Sequence, residues 1–109
     1  MQSNTNPELA EVYSKLKETY SLTLTTGLQL DAGFSWEVPV LTGKSDKGTF
    51  YLYDEGAGME MNYDTEEGIH PNHWHPVEVQ EMVRLVAAFM DGKSDYEIEM
   101  ISREHNENT

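Results

Sequence analysis

Apolar residues recur every three or four positions at the start of the chain: Leu9, Val12, Tyr13, Leu16 and Tyr20. That spacing lines one side of a helix. Asn6 precedes it as an N-cap, and Pro7 takes the first helical position, where a missing N–H is harmless. Glu8 and Glu11 stand in the opening turns and Lys15 and Lys17 near the end, which suits the helix dipole. The pattern predicts a helix from Pro7 to about Thr19.

The period then drops to two. Leu22, Leu24, Leu28 and Leu30 alternate with Thr23, Thr25, Gly27 and Gln29, the signature of a half-buried strand. Gly27 marks a candidate bulge, and Asp31-Ala32-Gly33 reads as a turn. Trp36, Val38 and Val40 alternate with Glu37 and Pro39. Because Pro39 has no N–H to donate, this strand is expected at an edge or bulged there. Thr42 to Gly48 reads as a loop. Its Gly43-Lys44-Ser45 triplet lacks the upstream glycine and the following helix of a phosphate-binding loop.

Thr49 to Tyr53 and Met59 to Tyr63 flank Asp54-Glu55-Gly56-Ala57-Gly58, which predicts a hairpin with a glycine-bearing turn. A second helix is expected to open at Pro76, with His75 at its N-cap. Its apolar stripe is Val79, Met82, Val83, Val86, Phe89 and Met90, and Gly92 stops it. Tyr96, Ile98 and Met100 then alternate with Glu97 and Glu99, which favours a last strand. Ser94-Asp95-Tyr96-Glu97 also fits a capping box, so a short helix is the alternative. Residues 1–5 and 103–109 read as polar tails. Short connections between consecutive strands imply an α+β fold. It is an antiparallel meander of four to five strands, with an N-terminal and a C-terminal helix packed on one face.

At 109 residues this is a single domain, 1–109, able to build a core without disulfides. It has no cysteine, which removes thiol catalysis, Cys-ligated zinc and iron–sulfur clusters. Met1 to Thr5 carry no apolar segment of the signal-peptide kind, and no apolar run is long enough to span a membrane. A cytoplasmic location is expected. Twenty Asp and Glu against seven Lys and Arg give a net charge of -13. A field of that sign repels phosphate backbones and anionic lipid, so direct nucleic-acid or membrane binding is not expected and a basic protein partner is the complement.

Two stretches are candidates for function. Between Gly48 and Val83 there is no Lys or Arg, but there are eight acids: Asp54, Glu55, Glu60, Asp64, Glu66, Glu67, Glu78 and Glu81. Acids steer a basic partner and aromatic residues supply contact area. The candidate partner-binding residues are Asp54, Glu55, Asp64, Glu66 and Glu67, with Trp74 as an apolar anchor. The plainer reading is a solvated hairpin face with Trp74 packed in the core.

The second stretch runs from His70 to Pro76 and holds three of the four histidines. In extended backbone, residues two apart point the same way, so His73 and His75 are both within reach of one ion, with His70 or Glu78 as third ligand. The alternative is a loop stiffened by Pro71 and Pro76, its imidazoles facing water. The spacing departs from the cupin metal motif: Glu78 follows His75 too soon, no glycine follows it, and a helix comes next. No acid pair, Ser-His-acid arrangement or nucleophile elbow marks an enzyme, and no catalytic residue is assigned.

Short, acidic, cysteine-free, α+β and without a catalytic signature, the chain resembles the immunity proteins that bacteria hold against their own toxins. It also resembles phage-encoded inhibitors that occlude nucleic-acid-binding clefts. The likeness is one of type and assigns no residue a role. It implies a small binding protein that neutralises or regulates a basic partner and needs no cofactor. The alternative is a protein that carries a divalent metal on His70, His73 and His75. A Met-rich, aromatic sheet face also fits a homodimer.

Overall fold

The structure, a computed structural model, describes residues 6–30, 34–54, 56, 58–65 and 68–107. The predicted turn at Asp31 to Gly33 lies outside them, as do the candidate contacts Glu55, Glu66 and Glu67. The element order is α1 (Pro7–Leu16), β1 (Leu22–Leu30), β2 (Phe34–Ser45), β3 (Gly48–Asp54), β4 (Met59–Thr65), β5 (Gly68–Trp74), α2 (Val79–Met90) and α3 (Asp95–Glu107). The five strands form one antiparallel sheet in sequence order, so the meander is as expected.

Helix α1 starts as its sequence predicts. The Asn6 side-chain oxygen accepts from the N–H groups of Glu8 (3.0 Å) and Leu9 (3.1 Å), two of the donors a helix start leaves unpaired. Leu9, Val12 and Leu16 are buried. They join the inward side chains of the sheet and the buried faces of α2 and α3 in one core, which includes Leu41, Phe50, Leu52, Met61, Tyr63, Phe89 and Ile98. Thus all three helices contribute to a core on one face of the sheet. Phe89 is its aromatic centre, meeting Phe50 edge-on at 5.5 Å and Tyr63 edge-on at 5.1 Å.

The segment read as a loop between Thr42 and Gly48 is strand and tight turn. β2 runs to Ser45, and only Asp46 and Lys47 separate it from β3, with Ser45 opposite Gly48. Gly48 has φ +139°, and a Cβ there would lie 1.9 Å from the Asp64 carbonyl oxygen. Both the backbone angle and the close approach require glycine. Pro39 is tolerated because pairing of β2 with β3 begins only at Val40, so Pro39 faces β1 alone. The β1–β2 register shifts between Thr26 and Leu28, around Gly27.

Three further expectations need correction. The His-Pro segment is not a loop but edge strand β5, with a register irregularity opposite Tyr63, between Asn62 and Asp64 on β4. Pro71 falls within that irregularity, where a missing N–H interrupts no regular ladder. Helix α2 starts at Val79 with Glu78 as N-cap, not at Pro76 with His75. Glu81 reaches back to accept the Val77 N–H at 2.9 Å, which ties the segment before the helix, residues 75–77, to its first turn. The last element is a helix, not a strand. Ser94 and Glu97 form a reciprocal capping box, the Glu97 N–H on Ser94 Oγ at 3.2 Å and the Ser94 N–H on Glu97 Oε1 at 3.3 Å. Residues 103–107, expected as tail, are its last turns.

Two side-chain clasps join α3 to the rest. Asp95 accepts the Tyr63 hydroxyl at 2.7 Å and pairs with Lys47 at 2.8 Å, tying the β2–β3 turn to the start of the helix. Glu81, fully buried, accepts the Ser102 hydroxyl at 2.9 Å.

Candidate functional site

Alternation along β3 and β4 fixes what the opposite face of the sheet presents. Leu52, Met59, Met61 and Tyr63 point into the core, so Tyr51, Tyr53, Glu60 and Asn62 point away from it. Tyr53 stands opposite Glu60, and Asn62 stands opposite His73 of β5. His75 stands just past the end of β5, two residues after His73, and its ring comes to 5.1 Å from that of His73.

Ligand atoms of Glu60, His73 and His75 all lie within 4.8 Å of one another. Both histidines are exposed and Glu60 is half-buried. The Glu60 carboxylate is held from behind: Oε2 accepts the Tyr53 hydroxyl at 2.8 Å and the Asn62 amide at 2.8 Å, while that amide also donates to the Tyr53 oxygen at 3.3 Å. The spacing argument therefore brings His73 and His75 together. The third nearby donor comes from the neighbouring strand, and Glu78 does not belong to the group; the side chain of His70 lies outside those the structure describes. His70 lies in β5 beside the irregular pairing.

Beside this group opens a cleft of about 420 Å³. Glu8 of the first turn of α1 lines one part, and Asp54, Gly58 and Met59 line another. His75, Pro76 and Val77, from the leader of α2, complete it. Val77 is 71% exposed, an apolar side chain left standing in solvent. Asp54 is exposed and its Oδ1 accepts the Gly56 N–H at 2.8 Å, which closes the hairpin turn and fixes the carboxylate at the cleft.

Among the other partner-binding candidates, Asp64 is half-buried, and its charge and hydrogen bond help burial to push the Tyr51 hydroxyl above its ordinary pKa. Trp74 is 4% exposed and stacked on Tyr63, with ring centroids 6.0 Å apart. It is a core residue, and the apolar side chain presented to solvent near the acids is Val77. Glu8 and Glu60 were missed by sequence reasoning. Their placement depends on α1 packing against α2, β1 and β2 and on strand register, which local periodicity does not reveal. Among the described residues, no helix is long and apolar enough to cross a membrane. No family model, curated protein or solved structure matches this chain.

Proposed function

We propose that this chain is a small acidic binding protein that neutralises or regulates a basic protein partner, as an inhibitor or immunity protein does, in the cytoplasm. The observation that supports it best is the cleft: two carboxylates, Glu8 and Asp54, from separate elements, beside the apolar surface of Met59, Pro76 and exposed Val77. An Arg or Lys side chain of the partner fits both features. Its aliphatic stem covers the apolar wall and its cationic head meets the carboxylates in charge-assisted hydrogen bonds. Glu55, Asp64, Glu66 and Glu67 add acidic charge to the same part of the sequence, and the absence of Lys and Arg from Gly48 to Val83 leaves that charge unopposed there. The net charge of -13 speeds encounter with a basic partner and disfavours acidic competitors.

The test uses the tagged chain as bait for its partner, followed by affinity measurements on the purified pair. Asp54→Lys and Glu8→Lys are each expected to weaken the partner by at least about tenfold, as placing like charges together at an interface does. Glu8 is exposed, so Glu8→Lys should keep the wild-type circular dichroism, while Asp54→Asn, which keeps the acceptor for the Gly56 N–H, separates loss of charge from loss of the turn contact. A partner that binds both variants as tightly as wild type would remove the cleft from the account.

A further inference from the structure

We propose that Glu60, His73 and His75 form a divalent-cation site, with Zn²⁺ as the ion that suits it best. The site adjoins the partner cleft, whose wall includes His75, but rests on a different observation, the convergence of Glu60, His73 and His75. Two imidazoles and one carboxylate are a donor set that Zn²⁺ accepts with bonds near 2.0–2.2 Å, and three protein ligands leave a position for water or a further donor. In a tetrahedral arrangement such bonds set ligand atoms about 3.3 Å apart. The donor atoms here already lie within 4.8 Å. Both histidines are exposed, so closing the remainder does not require repacking the core.

The backbone supplies the convergence. Asn62 opposes His73 across β4 and β5, Glu60 lies two residues before Asn62, and His75 lies two after His73. Glu60 and His73 therefore lie on paired strands, and His75 directly follows the end of β5. The carboxylate is also restrained in the manner of a metal ligand, since Tyr53 and Asn62 both donate to its Oε2. Such outer hydrogen bonds orient ligating groups and sustain affinity. A preference for Zn²⁺ over Mg²⁺ or Ca²⁺ follows from the imidazoles, because the harder ions favour all-oxygen ligands.

Calorimetric titration of Zn²⁺ into the metal-stripped full chain tests the site. One saturable equivalent is expected in wild type, weakened at least tenfold in His73→Ala, His75→Ala and Glu60→Gln, and unchanged in His105→Ala and His70→Ala. Tyr53→Phe should weaken it about ten- to a hundredfold through orientation of Glu60 alone. A Zn²⁺-dependent rise in Tm that disappears in the two histidine variants is the second readout. It decides the matter should Glu60→Gln or Tyr53→Phe fail to fold. Absence of saturable binding, equal binding in all variants, or loss in His70→Ala with none in Glu60→Gln would overturn the assignment.

Discussion

A carboxylate with no solvent exposure needs donors, and Glu81 takes one from the leader of α2 and one from α3. Removing it leaves the Val77 N–H and the Ser102 hydroxyl without this acceptor and opens a cavity. Glu81→Ala is expected to cost about 3–5 kcal/mol in urea denaturation, and Glu81→Gln, which keeps an acceptor of the same shape, about 1–3 kcal/mol. Equal midpoints for all three proteins would show that the clasp contributes nothing. The tyrosines give a second residue-level expectation. Burial, then the hydrogen bond to Asp95 and its charge, hold the Tyr63 hydroxyl well above its ordinary pKa of 10.0. Tyr51 is raised chiefly by burial and Tyr20 chiefly by its hydrogen bond to Asp91. The folded chain therefore keeps protons that the unfolded chain releases. This contribution is fully present below the unfolded phenol's pKa and is lost as pH rises through the folded values. Denaturation midpoints should fall from about pH 10 upward, and less steeply in Tyr63→Phe. A Tyr63→Phe slope equal to that of wild type would sever the link to Tyr63.

Elements whose periodicity and end signals agree were legible in the sequence. Asn6 and Pro7 announce α1, and the alternation around Gly56 and Gly58 announces the β3–β4 hairpin. Helix α3 was ambiguous because Tyr96, Ile98 and Met100 satisfy a two-residue period. The structure buries Ile98 and Ser102, four apart, and leaves Tyr96 and Met100 exposed, which is a helical pattern. Strand β5 was hidden by Pro71, a residue that sheets tolerate only at edges or irregularities, and β5 provides both. The same limit concealed Glu60 as a partner for His73 and His75: they meet through β4–β5 pairing, which depends on tertiary register. At this scale Phe89→Ala tests the packing of α2. Fully buried between Phe50 and Tyr63, Phe89 should cost about 3–5 kcal/mol when truncated. A loss below about 1 kcal/mol in the same denaturation assay would mean that α2 turns another face to the sheet.

The whole molecule separates its layers by role. Helices and inward side chains build one core, the other face carries Glu60 beside His73 and His75, and the cleft of Glu8 and Asp54 opens between the first turn of α1, the β3–β4 turn and the leader of α2. Trp74 serves the first role and its neighbours His73 and His75 the second, an alternation that one strand imposes on adjacent residues. The proposed partner reading uses only surface groups around the cleft, and the polar contacts that reach into the core include the Glu81 clasp and the Tyr63–Asp95 bond. A chain of charge -13 pays for its anionic surface in self-repulsion, which a basic partner relieves. The most direct test is the association rate constant of the captured partner, measured by stopped flow from about 0.05 to about 0.5 M salt, a range over which screening shortens from over 10 Å to a few ångströms. Charge-steered docking predicts a rate that falls at least tenfold across that range, with a smaller fall for Asp54→Lys. A rate constant that salt leaves unchanged would contradict the account.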